Sequence, residues 1–159
     1  MPKKYECIGQ VVLSGNASTI TFSSIPSTYT DLRIDLSLRR SNAYDRRVLQ
    51  MTFNGASSGY SDRNHFGDYL GGGVNITTYD VPAANGVANT FSSNTIYIPN
   101  YTSSSYKSVS IESFGDQYFA MGCGTSNVTS AITTISFDTG QGGEWVANSS
   151  AFLYGISKS

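Results

Sequence analysis

Between Asp31 and Arg39 the chain alternates without a break: Leu32, Ile34, Leu36 and Leu38 are apolar, while Arg33, Asp35, Ser37 and Arg39 are polar. A period of two sustained over this stretch predicts a β-strand with one dry face and one wet face, because a helix would scatter the four apolar residues around its axis. The same test predicts strands over Glu6–Leu13 and Ser18–Ser23, which flank Ser14-Gly15-Asn16 and read as a hairpin. Val48–Phe53 places Leu49, Met51 and Phe53 on one face and ends at the turn dipeptide Asn54-Gly55. Thr95–Ile98 stops at Pro99, and Ser108–Phe114 stops at Gly115-Asp116, with Tyr118–Met121 following. Ala131–Phe137 and Ala151–Ile156 complete the set, separated by the glycines around Gly140 and Gly143.

Ser57–Asn94 lacks this regularity. It holds Gly71-Gly72-Gly73 and the small-residue run Ala83-Ala84-Asn85-Gly86, and reads as long loops with one or two weak strands. Eight or more short strands punctuated by turns predict an all-β fold, a two-sheet antiparallel β-sandwich. No shift in composition marks a boundary, so residues 1–159 are expected to form a single domain, long enough to bury a core without disulfides or metals.

Composition agrees. Forty residues are Ser or Thr, and 11 Tyr, 8 Phe and 1 Trp supply the large side chains that suit a pleated, half-buried surface. The formal net charge of −1 gives no global attraction to nucleic acid or anionic membrane, and neither is expected as a partner. No apolar run reaches the length of a signal peptide core or a membrane span, so synthesis in a cytoplasm without secretory entry is expected. Cys7 and Cys123 are expected as free, mostly buried thiols, with a disulfide between them as the alternative.

Candidate chemistry is sparse. His65 is the sole histidine, with Asp62 and Asp68 close by in sequence, but no nucleophile elbow accompanies it and it is expected in a Gly-rich loop. One histidine and two distant cysteines make no zinc set, and Asp62, Asn64 and Asp116 form no calcium-loop pattern. Gly71-Gly72-Gly73 is followed by no Gly-Lys-Ser/Thr, so it is not a phosphate loop. No cofactor, metal or catalytic residue is expected, and the chain reads as a non-enzyme. The one charge feature is the cluster Arg39, Arg40, Tyr44, Arg46 and Arg47 around Asp45, read either as a solvated loop or as a protein-contact patch. The second rests on Arg and Tyr being types that interfaces favour, because both bury area while keeping directional hydrogen bonds. Trp145 and the tyrosines divide between sugar-stacking surfaces and core or interface filling, the commoner use.

Four segments in order resemble a family of small β-sandwich virion proteins of tailed bacteriophages: Ile20-Thr-Phe-Ser-Ser-Ile-Pro26 leading into Tyr29-Thr-Asp-Leu-Arg-Ile34; Phe53-Asn-Gly55 with Tyr60-Ser61; Ile132-Thr-Thr-Ile-Ser-Phe137; and Leu153-Tyr-Gly-Ile156. The resemblance implies a jelly-roll-like sandwich on the virion exterior without enzymatic activity. A capsid decoration (cement) protein is the first expectation, bound to the major capsid protein and to copies of itself as a homotrimer. The alternative is a tail or fibre protein with a receptor- or carbohydrate-binding role.

Overall fold

The computed structural model describes residues 4–43, 48–66, 69–71, 76–78, 81–116, 119–140 and 142–157. Twelve strands lie among them: β1 (Lys4–Val12), β2 (Thr19–Phe22), β3 (Asp31–Ser37), β4 (Leu49–Phe53), β5 (Tyr60–Phe66), β6 (Tyr69–Gly71), β7 (Ile76–Thr78), β8 (Ser93–Ile98), β9 (Lys107–Phe114), β10 (Phe119–Ser126), β11 (Ile135–Asp138) and β12 (Ser150–Ser157). They form two sheets. The broad one has eight strands in the order β1-β12-β3-β8-β9-β10-β5-β6, and the narrow one has four in the order β2-β11-β4-β7. Every pairing is antiparallel. The chain passes repeatedly from one sheet to the other (β1 broad, β2 narrow, β3 broad, β4 narrow), the kind of exchange that makes a sandwich jelly-roll-like.

The core lies between the sheets. The alternation in β3 behaves as its sequence predicts: Leu32, Ile34, Leu36 and Leu38 are buried, and Arg33, Asp35 and Ser37 are half-exposed. From the narrow sheet, Ile20, Phe22, Leu49, Met51, Phe53, Ile135 and Phe137 join the same cluster. Burying one such side chain contributes about 1.5–3 kcal/mol. At Gly9 the approach is close enough that an added Cβ would lie 2.9 Å from the Phe22 ring, so a larger residue there would force β1 or the ring to shift.

Three expectations are corrected. The first two strands do not form a hairpin: β1 pairs with β12, and β2 pairs with β11 in the opposite sheet. The linker between them runs alongside 145–149, with Leu13 N donating to Ser149 O (2.9 Å) and Ala17 bridging Trp145. Second, Ser57–Asn94 contains three whole strands, β5, β6 and β7. Third, His65 lies in β5, where its backbone stands opposite Met121 and Leu70, and not in a loop. The remaining strands hold with shifted ends, most visibly β10, which runs on to Ser126 past Met121, and β11, which begins at Ile135 and not Ala131. The turn at Asn54-Gly55 is present, both residues taking positive φ (51° and 70°), and it redirects the chain from the narrow sheet to the broad one.

Candidate functional site

The arginine cluster splits. Arg40 is fully buried, its Nη2 donating to Gly142 O (3.0 Å) and its Nη1 to Val48 O (3.4 Å). Its backbone bridges Trp145 and donates to Pro82 O (2.8 Å). Arg39 is half-buried, and its Nη1 reaches Val87 O (2.8 Å) and Thr90 O (3.1 Å). A guanidinium carries five donors in a rigid fork, which suits the gathering of carbonyls from several loops. The expectation of a contact patch is therefore corrected for Arg40, which is enclosed, and narrowed for Arg39, whose head group holds the 87–90 segment. Tyr44, Arg46 and Arg47 lie outside the described residues.

Other polar groups singled out from sequence are also engaged. Asp62 is buried in β5, where Oδ2 accepts from Thr77 N (3.2 Å) and ties β7 to the broad sheet. Asp116 Oδ2 accepts from Val87 N (2.7 Å). Asp68 lies outside the described residues. Trp145 is fully buried and its Nε1 donates to Phe137 O (3.2 Å), so it fills the core. Lys107, also buried, donates from Nζ to Ser103 O and to Ser105 O (2.8 Å), and burial lowers its pKa from the ordinary lysine value. Among the described residues no three His, Cys, Asp or Glu side chains converge to hold a metal ion.

The thiols are free, but both are exposed, which corrects the expectation of burial. Cys7 and Cys123 occupy one cross-strand row of the broad sheet, which runs Cys7, Tyr154, Arg33, Tyr97, Ser110, Cys123. Five inter-strand spacings of about 4.8 Å separate them, roughly 24 Å along the sheet. A disulfide needs Cα atoms within about 7 Å, so the two cannot pair within one chain.

The two outer faces of the sandwich differ in chemistry. The narrow sheet shows small hydroxyl residues, such as the row Thr21, Ser136, Thr52, with Thr21 Oγ1 3.0 Å from Ser136 Oγ. The broad sheet shows aromatic and charged residues. Phe114 and Phe119 are half-exposed and stacked, with ring centroids 6.4 Å apart and planes at 25°, and Met121 is exposed beside them. In β3, Arg33 Nε donates to Asp35 Oδ1 at 2.9 Å, and Thr95 Oγ1 from β8 donates to the same oxygen at 3.3 Å. Tyr97 donates to Asp31 Oδ2 (2.7 Å), and that hydrogen bond, followed by burial, pushes its pKa up to about 12. Beside the Arg33–Asp35 pair lies an open depression of about 360 Å³, lined among others by Ser37, Asn94, Thr95 and Phe152.

Sequence reasoning placed Arg33, Asp35 and Ser37 on the outer face of their strand but did not assemble the depression. Its walls come from β12, β3 and β8, and strand order is a long-range property. The aromatic residues at outward positions of the late strands, Tyr97, Phe114, Phe152 and Tyr154, were the available signal.

No family model and no curated protein matches the chain. Among solved structures, a scytalido-glutamic peptidase bound to a transition-state-analogue inhibitor aligns over 91% of this chain and 66% of its own, at 12% identity and a TM-score of 0.32. Peanut lectin with a nine-residue peptide aligns over 99% of this chain and 93% of its own, at 9% identity and a TM-score of 0.24. The chain thus spans just under two thirds of the peptidase's length. Likeness at this level carries no argument about what the chain does.

Proposed function

We propose that this chain is a structural protein of the exterior of a tailed-bacteriophage virion, a capsid decoration (cement) protein that binds the major capsid protein and further copies of itself as a homotrimer. The observation that carries the reading is the β1 edge of the broad sheet. β1 is the terminal strand, paired on one side only by β12, and most of its residues are exposed. A row of backbone groups left unpaired in this way favours a strand or loop from another chain. A register shift between Cys7 and Gly9 and the Lys4–Glu6 ion pair (3.5 Å) interrupt the first half of that edge, which limits indiscriminate pairing. Gly9–Val12 remains regular. The near-neutral net charge of −1 offers little repulsion against close packing on a shell.

The order of the four resembling segments supports the same reading, and the fold brings them together. Tyr29 packs over Gly155, where an added Cβ would lie 2.4 Å from the ring, and Thr30 N donates to Ile156 O (2.9 Å). Asn54 joins the turn after β4 to the segment before β11, its Oδ1 accepting from Thr133 N (2.9 Å) and Thr134 N (3.1 Å). We assign the chain no enzymatic activity. On that reading a His65→Ala protein keeps its melting temperature and its place on the particle.

The test is stoichiometry and edge chemistry together. Quantified bands from purified particles should show hundreds of copies for a shell protein, whereas a few to a few dozen would move it to the tail. Tyr5→Lys with Val12→Lys, both at exposed positions of β1, should leave the monomer folded and reduce rebinding to shells stripped of the protein. Unchanged rebinding would remove β1 from the interface.

A further inference from the structure

We propose that the outer face of the eight-stranded sheet binds a neutral saccharide, seated in the depression beside Asp35 that β12, β3 and β8 form and reaching from it toward Phe114 on β9. The inference stands on the groove alone and holds for a shell protein and a tail protein alike.

The floor of the depression is polar. Asp35 Oδ1 accepts from Arg33 Nε and from Thr95 Oγ1, which fixes the carboxylate and the guanidinium in place. Among the described residues no protein group bonds Asp35 Oδ2 or the Arg33 Nη atoms, so both side chains keep acceptors and donors for a ligand while remaining half-exposed. Planar, pre-oriented polar groups of this kind match adjacent hydroxyls, each of which both donates and accepts. Aromatic side chains stand on both sides of the floor. Phe152 is paired with Asp35 in register. Phe114 is paired with Ser93 on the far wall and continues into stacked Phe119. From β12 to β9 there are three inter-strand spacings, about 14 Å, so a ring laid on one aromatic leaves room for further rings before the next.

The same chemistry disfavours other occupants. Arg33 and Asp35 cancel each other, and Glu112 lies in the next outward row position on β9, opposite Thr95, so a phosphate or polyanion meets no excess of positive charge. Ser37, Ser93, Thr95 and Ser150 give the lining a hydroxyl character that a purely apolar ligand would leave unpaired. A volume near 360 Å³ falls at the small end of ligand sites, and its openness to solvent suits a chain that enters and leaves it. An uncharged, polyhydroxylated ligand with flat apolar C–H faces satisfies both the floor and the walls.

Purified full-length protein would be tested against immobilised neutral oligosaccharides (gluco-, galacto-, manno- and N-acetylglucosamine series), with a sulfated polysaccharide and inorganic phosphate as contrasts, followed by titration of any hit. At least one neutral series should bind with a Kd of about 1 mM or tighter. Asp35→Asn and Phe152→Ala should each weaken it roughly tenfold with the melting temperature held, since the first changes one acceptor and the second removes one stacking face. Absence of binding to every neutral series, binding only to the charged contrasts, or equal binding by both variants would overturn the proposal. Thiol labelling of Cys123 on intact particles supplies the last arm. This exposed thiol lies on the same face, so its labelling at the rate seen in free protein is expected. Full protection would mean that a protein partner covers the face, and would also overturn the proposal.

Discussion

Arg40 shows why a charge cluster in a sequence need not be a surface. Its side chain is fully buried, its backbone bridges Trp145, and its fork collects carbonyls from the segments around Val48 and Gly142, which lie far apart along the chain. Arg40→Ala should lower stability by about 2–4 kcal/mol in chemical denaturation, because buried carbonyls lose charged donors and a cavity opens. Arg39→Ala should cost less, since that side chain is half-buried and water can replace it. Equal small losses for both would contradict the assigned burial. Tyr97 gives the pH counterpart. Its neutral phenol donates to Asp31, so its folded pKa lies near 12 against 10 when unfolded. The raised value contributes stability that is fully present below pH 10 and is lost as pH rises through about 12. Tyr29 and Tyr101, raised first by burial, act in the same sense, and Lys107, lowered by burial, acts in the opposite sense just below the ordinary lysine value. Comparing melting temperature against pH for wild type and Tyr97→Phe isolates the Tyr97 part. The variant should show a shallower alkaline decline between pH 10 and 12.

At the scale of the element, alternation was legible where the inward residues are apolar. From Leu32 onward β3 alternates buried with half-exposed, β9 alternates buried with exposed along its length, and the inward set of β3 was named from sequence residue for residue. β5 was not legible as a strand, because one of its inward positions is Asp62, a carboxylate buried to hold Thr77 N, and an apolar–polar test cannot see such a residue. The false hairpin has a different origin. Ser14-Gly15-Asn16 does turn the chain, but which strands then pair depends on Trp145 and Ser149, more than a hundred residues away. The cysteines follow the same logic: a thiol in a strand is buried or exposed according to its parity, and both fall on the outward parity of the broad sheet. A Leu36→Asp substitution tests the inward parity directly. It removes about 1.5–3 kcal/mol of burial and adds an unpaired charge to the core, so the protein should fail to fold. Ser37→Asp, one residue along on the wet face, should fold with wild-type circular dichroism. A folded Leu36→Asp beside a misfolded Ser37→Asp would mean that the register is wrong by one residue.

For the whole molecule, the consequence of two unlike faces and an exposed β1 edge is a division of labour. The hydroxyl-rich face of the narrow sheet carries residue types that interfaces use little, whereas Arg33, Tyr97, Tyr154, Phe114 and Met121 on the broad face are types that bind. An attachment made through the β1 edge leaves that broad face available, and the two exposed thiols lie well apart on it, Cys7 on the β1 edge and Cys123 on β10. Cys7 lies on the edge strand and Cys123 toward the far side, roughly 24 Å away along the sheet. In free protein both should react with a thiol reagent without denaturant, and oxidation should give no intramolecular disulfide, so a non-reducing gel shows either monomer of unchanged mobility or crosslinked chains. On assembled particles the two should diverge. Cys7, held where copies or shell subunits meet β1, should be protected, and Cys123 should remain reactive. Equal reactivity of both thiols on the particle would separate the edge from the attachment, and protection of Cys123 alone would turn the molecule over.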